Sequence, residues 1–395
     1  MVSNFKVYQL GQLGRIVTGK TPPTNRAELF GDEYPFITPV DMHDVKNANS
    51  TERSLSAAGA QYQHRLIIPP GSIAVSCIGW QMGKSIIITR PSFTNQQLNT
   101  IIPHDWVNSD FLYYTLVTLR QKFFSIGSGV GVRTPILNKS AFSVFEVSLP
   151  SFDFQCRIAA ILSAYDDLIE NNKRRIAILD EMARRIYEEW FVNYRFPGHE
   201  AVRLVESEIG PVPEGWDVDT LDKALVLQRG FDLPAGNREL GQFPIIAASG
   251  AIGYHKEKRA EGPSVVTGRS GTIGKVIYVT EDFWPLNTAL WVKEFVRVSP
   301  LFGFHMLSGI DFLAVAGGAA VPTLNRNHVH AMKIAIPSKE LIVRFDEVVD
   351  PLQKFARNLE LKNTNLRQTR DLLLPRLISG ELDVSTLPVP EDMVA

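Results

Sequence analysis

The chain has 395 residues, 45% of them apolar and 21% charged, and its net charge is -1. A single core rarely grows past roughly 250–300 residues, so the length predicts two or more domains. The near-zero charge excludes a uniformly basic nucleic-acid binder, and any DNA-binding surface must be a local patch. Two cysteines, Cys77 and Cys156, exclude a disulfide framework and indicate a reducing compartment. With no secretory signal and no apolar run of about 18 residues, we expect a soluble cytoplasmic protein.

The chain repeats itself, which indicates two copies of one structural unit. The offset between matching blocks drifts, as expected when loops vary in length while strands are kept. Four blocks recur in the same order: Val7, Leu10, Ile16 and Gly19 with Val218, Leu221, Leu227 and Gly230; Met82-Gly83-Lys84 with Ile273-Gly274-Lys275; Leu137-Asn138-Lys139 with Leu324-Asn325-Arg326; and Leu149-Pro150-Ser151 with Ile336-Pro337-Ser338.

Short β-branched runs punctuated by Gly, Pro and Asn predict strands in each copy. The pattern therefore predicts that each globular part is a mixed α/β domain with many irregular loops. The predicted strands include Ser72–Ser76, Ser85–Thr89, Val144–Leu149, Ser264–Thr267, Val276–Thr280 and Lys333–Ile336.

Each copy ends in a helical pattern of about 35–38 residues, on the order of 55 Å long at 1.5 Å per residue. Apolar residues recur every seven positions in two rows offset by four, which predicts a coiled-coil seam. The first helix carries Ile158, Tyr165, Asn172, Leu179 and Ile186, with Leu162, Ile169, Ile176, Ala183 and Trp190 as the second row; the second helix carries Phe345, Leu352, Leu359, Leu366 and Leu373, with Val349, Ala356, Asn363, Arg370 and Leu377.

The simplest partner for each helix is the other helix of the same chain, running antiparallel to it. Asn172 and Asn363 either fix the register of the seam or are merely solvated, and the sequence leaves both readings open. Pro351 predicts a kink or a delayed start in the second helix. Stop signals follow at Phe196-Pro197-Gly198, and at Pro375 with Ser379-Gly380.

The predicted fold class is α+β, with two pseudo-symmetric mixed α/β domains separated by a pair of long antiparallel coiled-coil helices. The bounds are 1–152 for the first domain, 153–197 for the first helical spacer, 198–338 for the second domain and 339–382 for the second spacer. From Leu382 the chain is predicted to be extended or disordered, with a tail at 383–395.

Several motif fragments resemble catalytic or ligand sites but have the wrong spacing. Gly268 to Lys275 departs from the phosphate-binding loop, and Gly127 to Gly131 lacks the βα context of a dinucleotide site. His328-Val-His330 and the segment from Asp41 to Asp44 have no further ligands at metal spacing. We therefore predict neither a catalytic residue nor a metal site in this chain.

The remaining candidates are polar loop residues, which suit DNA because Arg and Lys bind phosphates and guanine while Asn and Gln bind adenine. Lys84 and Lys275 stand out because they are equivalent in the repeat; Gly83-Lys84 and Gly274-Lys275 can instead form a tight turn entering a strand, and both interpretations can hold together. The candidates are Lys20, Thr21, Lys84, Asn95, Gln96, Arg133, Asn138 and Lys139 in the first copy, and Arg229, Ser249, Tyr254, His255, Lys256, Arg269, Lys275, Asn287, Asn325 and Arg326 in the second.

Over about residues 5–382 the chain resembles the specificity subunits of type I restriction-modification systems. The residues that carry the resemblance are Tyr187-Glu-Glu-Trp-Phe191, Gly210-Pro-Val-Pro-Glu-Gly-Trp216, Thr272-Ile-Gly-Lys275, Val321-Pro-Thr-Leu-Asn325 and Leu372-Leu-Leu-Pro-Arg-Leu-Ile-Ser-Gly-Glu-Leu382. The chain departs from such subunits at Phe154-Gln155 and Leu341-Ile342, where Glu-Gln is common at the helix entry.

The resemblance implies a non-catalytic subunit whose two target-recognition domains each read half of a split double-stranded DNA target. It also implies that the paired helices set the spacer and dock two modification subunits, which use S-adenosylmethionine to methylate adenine. Restriction subunits would add cleavage and translocation with ATP and Mg. Two rivals remain: a coiled-coil adaptor that binds no DNA, and a fused nuclease or methyltransferase.

Overall fold

The computed structural model describes residues 5–43, 45–47, 50–127, 135–316 and 323–387. The chain forms two compact units, which we call unit 1 (Met1–Asn172 with Leu361–Ala395) and unit 2 (Lys173–Glu360). Each unit combines one globular part with segments of both long helices. Within the described residues, none of the helices has the length and apolar character needed to cross a membrane.

The first half of the chain folds into short strands and helices followed by one long helix. The strands are β1 Lys6–Gln9, β2 Gly14–Thr18, β3 Phe30–Gly31, β4 Tyr34–Ile37, β5 Ser54–Leu55, β6 Ile73–Ser76, β7 Ser85–Ile87, β8 Phe93–Thr94, β9 Leu98–Pro103 and β10 Glu146–Leu149. The helices are α1 Leu10–Leu13, α2 Ala57–Tyr62, α3 Ser109–Thr118, α4 Arg120–Gly127, α5 Lys139–Ser143 and α6 Phe152–Tyr187.

The second half repeats this plan. Its strands are β11 Leu204–Val205, β12 Val212–Pro213, β13 Asp217–Thr220, β14 Leu225–Arg229, β15 Phe243–Ala247, β16 Gly250–His255, β17 Ser264–Gly268, β18 Val276–Val279, β19 Trp284–Pro285, β20 Ala289–Phe295 and β21 Lys333–Ile336. Its helices are α7 Leu221–Ala224, α8 Pro300–Ser308, α9 Phe312–Ala316, α10 Arg326–His330 and α11 Lys339–Ile378.

The sheet topology confirms the repeat. A four-stranded antiparallel sheet has the order β2-β9-β6-β7 in unit 1 and β14-β20-β17-β18 in unit 2. In both units the first strand of the repeated block pairs with the last strand before the long helix, β1 with β10 and β13 with β21. A parallel pair, β4 with β8 or β15 with β19, also recurs. The predicted strands are therefore confirmed, with ends that differ by one or two residues.

The sheet of unit 1 is covered on both faces, which explains why β6 is an apolar run and not an alternating one. Ile73 and Val75 pack with Phe111 and other α3 residues, while Ala74 belongs to a second apolar cluster. Asn108 caps the N-terminus of α3, and its side chain accepts a hydrogen bond from the Phe111 N–H at 2.9 Å.

The two predicted helical rows are buried or half-buried along both long helices. In unit 1, Asp166 pairs with Arg370, and Asn172 Nδ2 donates to Asn363 Oδ1 at 2.9 Å. In unit 2, the Arg175 guanidinium lies over the Phe355 ring and Tyr187 lies against Phe345. In each unit, a residue further along α6 contacts a residue earlier in α11, so the two segments run antiparallel as predicted.

The buried Asn pair in unit 1 decides a question that the sequence left open. Asn172 is 9% exposed and Asn363 is 2% exposed, so the solvated reading is wrong. Asn363 Nδ2 also donates to the Ile169 carbonyl at 3.3 Å. A hydrogen-bonded polar pair inside an apolar seam is satisfied in one register only, which is how such a pair specifies alignment.

One expectation about α11 is wrong, because the helix begins at Lys339 and Pro351 does not delay its start. The helix ends at Ile378, directly before the predicted stop at Ser379-Gly380. Disorder is also wrong for the start of the predicted tail, since Val384 is 3% exposed and belongs to the apolar core of unit 1, whereas residues 388–395 lie outside the described residues. Arg157 also donates to the Ser385 carbonyl at 2.8 Å, and these long-range contacts order a segment whose own composition favours disorder.

A buried histidine in α8 gives unit 2 a pH dependence. His305 is stacked on Tyr187 and packed edge-on to Phe345, and its burial lowers its pKa from 6.5 to about 4. The unfolded state binds a proton at higher pH than the folded state does. Stability is therefore fully present above about pH 6.5 and is lost as pH falls toward 4.

We expect unit 2 to lose on the order of 3 kcal/mol of unfolding free energy between these pH values. The loss is measured by urea titration with hydrogen exchange of residues 300–308. His305→Leu should flatten the profile, whereas His328→Leu at an exposed position should leave it steep. An equal slope in the wild type and His305→Leu would contradict this assignment.

Candidate nucleic-acid interface

The turn between β6 and β7 is the centre of a basic surface in unit 1. The Leu137 N–H donates to the Cys77 carbonyl at 2.8 Å, and the Gly79 N–H donates to the Pro135 carbonyl at 2.9 Å. The Ile136 N–H also donates to the Gly127 carbonyl at 3.2 Å. Together these bonds join three segments, residues 77–84, 120–127 and 135–143, which we call the unit 1 turn surface. Their sequence contains no Asp or Glu but has four cations: Lys84, Arg120, Lys122 and Lys139.

Unit 2 builds the same feature from its own residues. The Leu324 N–H donates to the Arg269 carbonyl at 2.8 Å, matching the Leu137–Cys77 bond. Ser270 forms an isolated antiparallel bridge with Thr323, as Ile78 does with Ile136. We call residues 268–275 and 323–330 the unit 2 turn surface. Its sequence contains no Asp or Glu either, and its cations are Arg269, Lys275 and Arg326.

Lys84 and Lys275 occupy equivalent places in these turns. Lys84 Nζ donates to the Met42 carbonyl at 3.2 Å, and Lys275 Nζ donates to the Ser249 carbonyl at 2.7 Å. Each lysine follows a glycine with positive φ, 80° at Gly83 and 89° at Gly274. The turn interpretation is therefore correct for both. Lys84 is half-buried, whereas Lys275 is exposed, so the second lysine is the better placed for a phosphate.

The repeated Leu-Asn-Lys/Arg motif is a helix start. Asn138 caps α5 by accepting from the Ala141 N–H at 2.9 Å, and Asn325 caps α10 by accepting from the Asn327 N–H at 3.0 Å. Their amide oxygens are thus engaged by the backbone. The next residues, Lys139 and Arg326, are exposed in the first helical turn.

A second group of predicted residues in unit 1 lies where β2 ends and β9 begins. The Thr21 hydroxyl donates to Gln96 Oε1 at 2.8 Å, and the Lys20 N–H donates to the Thr94 carbonyl at 3.0 Å. Lys20 and Gln96 are exposed. Asn95 is instead buried and bonds Gln97 through both ends of its amide, so its side chain closes a turn.

The corresponding group in unit 2 is more dispersed. Asn287 donates its side-chain amide to Asp232, close in the chain to the exposed Arg229. Ser249 is exposed and contributes its carbonyl to Lys275. Arg133 lies outside the described residues.

The segment from Tyr254 to Lys256 combines three different environments. Tyr254 is exposed on β16. His255 is buried, its Nδ1 accepts from the Glu239 N–H at 3.2 Å, and its ring packs edge-on to Trp284. Lys256 is paired with Glu239 at 2.9 Å. His255 is therefore placed to stabilise the hairpin and not to contact a ligand.

Of the two histidines singled out in unit 2, His328 is exposed and only His330 belongs to the fold. His330 Nε2 accepts from the Leu227 N–H at 2.9 Å, and burial lowers the pKa of this histidine. Among the described residues, no group of three or more His, Cys, Asp or Glu is arranged to hold a metal ion.

A salt titration tests the exposed cations of the unit 2 turn surface. Lys275→Ala and Arg326→Ala should each reduce the slope of log K against log salt by about 0.9, because one phosphate contact is lost. DNA binding is followed by fluorescence anisotropy across a series of salt concentrations. The matched control is Lys354→Ala, an exposed α11 cation paired with Asp350. Equal slopes for all four proteins would show that these cations do not contact phosphates.

Two repeated domains, each with a turn surface whose segments carry cations and no Asp or Glu, define a two-domain nucleic-acid-binding protein with a paired-helix segment. The family model described as "Type I restriction modification DNA specificity domain" matches residues 2–181 and 213–369. The chain therefore belongs to the type I restriction-modification DNA specificity family, and it is a DNA sequence-recognition subunit. The predicted family, fold class and DNA-recognition role are confirmed.

The similar proteins agree with this assignment. The MjaIX specificity subunit of Methanocaldococcus jannaschii is 27% identical over 413 residues, which cover 97% of this chain and 95% of the relative. The HindI specificity subunit of Haemophilus influenzae is 38% identical over 188 residues, 46% of this chain and 40% of the relative. The S subunit structure from M. genitalium has a TM-score of 0.60 at 16% identity, covering 95% of this chain and 96% of that one, and shows the shared fold.

Proposed function

We propose that each globular domain reads one half of a split double-stranded DNA target. The observation that carries this is the recurrence of the turn surface inside each unit, with Lys84 and Lys275 making the same kind of contact. Two copies of one reading surface suit a target with two halves. The sequences of the two surfaces differ around the shared lysine, which suits two different half-sites.

The paired long helices would set the length of the unread spacer and dock two modification subunits. The buried Asn172–Asn363 pair supports a seam with a fixed register, which a spacer of fixed length requires. The modification subunits would supply S-adenosylmethionine-dependent methylation, and restriction subunits would supply ATP- and Mg-dependent cleavage. This chain would contribute recognition without catalysis, in the cytoplasm.

The test is methylome sequencing of a host that carries this chain with its modification subunit. We expect methylated adenine in both halves of a split target, and no methyl transfer by the purified chain alone. An unsplit target would contradict the two-reader proposal. Methyl transfer by the chain without a partner would contradict the non-catalytic role.

A further inference from the structure

The unit 1 turn surface carries an exposed tryptophan, Trp80, that has no equivalent in the second copy of the repeat. Trp80 is 80% exposed and sits in the short 3₁₀ helix Gly79–Gln81. An exposed apolar residue is ordinary on its own, but two exposed isoleucines belong to the same surface. Ile126 lies in the last turn of α4, and Ile136 forms the bridge to Ile78. They are 57% and 56% exposed, respectively.

The indole is held in place and does not swing freely. Its ring lies 5.7 Å from the Phe124 ring at an interplanar angle of 32°. The Met82 N–H donates to the Gly79 carbonyl at 3.1 Å, which closes the turn around the tryptophan. An aromatic group that is already ordered loses little conformational freedom when it binds a ligand.

The charges around Trp80 favour nucleic acid as the ligand. The segments that form this surface bring Lys84, Arg120, Lys122 and Lys139 and no carboxylate. Arg120 also covers the turn directly, since a Cβ on Gly83 would lie 2.8 Å from its Cα. Nucleic-acid-binding surfaces commonly combine cations, which bind phosphates, with an aromatic ring, which contacts bases.

The second domain lacks this feature. Its turn from Ser270 to Ile273 holds Gly271 and Thr272 where unit 1 places Trp80 and its neighbours, and it has no aromatic residue. Both turns carry the same backbone bond, at Cys77 and at Arg269, but only the unit 1 turn contains a 3₁₀ helix, Gly79–Gln81, which presents the tryptophan. Because Trp80 is present on only one of two equivalent surfaces, it is suited to select the sequence of only one half-site.

We propose that Trp80 contacts a base of the half-site read by the first domain and determines sequence at that position. The contact is apolar, between the indole and either a base face or a thymine methyl group. The proposal rests on the proposed function, because it assumes that the first domain reads its own half-site.

The test compares Trp80→Ala and Trp80→Phe with the wild-type chain. Trp106→Ala is the matched control, because Trp106 is also exposed in unit 1 but stacks on His104 and lies tilted against Tyr8. We expect Trp80→Ala to weaken binding to the split target by about 5- to 150-fold and to relax one position of one half-site. Trp80→Phe keeps an aromatic group beside Phe124 and should lose less. Trp106→Ala should change neither half.

Binding is measured by anisotropy on the purified chain, and the target is read from the methylome with the modification subunit present. Unchanged affinity and an unchanged target in Trp80→Ala would overturn the proposal. Normal DNA binding with loss of the modification subunit would also overturn it, since Trp80 would then be a protein-docking residue. If the wild type itself methylates no split target, the proposed function fails, and this outcome is distinct from a failure at Trp80 alone.

Discussion

Asp166→Ala should destabilise unit 1 by about 2–4 kcal/mol, because it removes the centre of a largely buried polar network, leaves the Tyr114 hydroxyl without its acceptor and leaves Arg370 with only its exposed partner Asp371. Asp166 lies on α6 and is only 14% exposed. It accepts from the Tyr114 hydroxyl at 2.6 Å and forms an ion pair with Arg370 of α11. Tyr114 is buried in the globular part of unit 1, so this one carboxylate joins three separate elements.

Lys46 extends this polar network to two further residues, Asp110 and Ser163. Lys46 Nζ lies 2.6 Å from Asp110 Oδ1 and donates to the Ser163 hydroxyl at 2.7 Å. Its ammonium also lies 5.3 Å from the centre of the Tyr114 ring. Burial, followed by the negative charge of Asp166, raises the pKa of Tyr114, so its hydroxyl stays a donor at neutral pH.

Two milder variants give the comparison for Asp166→Ala. Tyr114→Phe deletes one hydrogen bond and should cost about 1–2 kcal/mol. Asp371→Ala removes the exposed second partner of Arg370 and should cost under about 1 kcal/mol. Urea unfolding is followed by hydrogen exchange of residues 109–118 and 361–378. A cost for Asp166→Ala no larger than that of Asp371→Ala would show that the network does not stabilise unit 1.

A four-residue insertion after Asn171 should lengthen the spacer of the DNA target and leave both half-site sequences unchanged. Four helical residues add about 6 Å, and DNA rises about 3.4 Å per base pair, so we expect one to two extra base pairs. Four residues are close to the 3.6-residue turn, which keeps the apolar rows roughly in phase. Helix α6 is continuous through this point.

A two-residue insertion at the same place is the control. It rotates the following rows by about 200° and turns residues such as Ile176 and Leu179 away from the seam. We expect this variant to lose helix pairing and methylation. The target is read from the methylome of cells that carry each variant with the modification subunit. An active four-residue variant with an unchanged spacer would show that the helices do not set it.

Local, periodic signals predicted most of the fold. The apolar rows identified the seam because residues seven positions apart lie on the same face of a helix, so the pattern is visible without any knowledge of distant contacts. The repeated Gly-Lys step identified equivalent turns. In each turn the backbone adopts a positive φ, which favours glycine, so the same residue type recurs at the same place in both copies. The tail is ordered at Val384 by contacts with residues that are far away in the chain, and the composition of the tail does not reveal such contacts.

The candidate site was harder to predict because a polar loop residue looks the same whether it faces solvent or closes a turn. Asn95 and His255 are buried by partners that only the folded chain brings near. Trp80 was missed for the opposite reason. A search for repeated residues favours features shared by both domains, and Trp80 has no counterpart in the second one. Its isolated position in a Gly-rich turn was the available signal.

The central claim is that each domain reads its own half of the target, and a domain exchange tests it most directly. Residues 1–152 are replaced by the matching domain of another family member. A second chimera also exchanges 153–172 and 361–395, because Leu374 and Leu377 of α11 pack in the core of unit 1. The methylated sites are then sequenced with the modification subunit present. The account predicts that one half of the target changes while the other half stays as it was. If both halves change together, the two domains do not read separately.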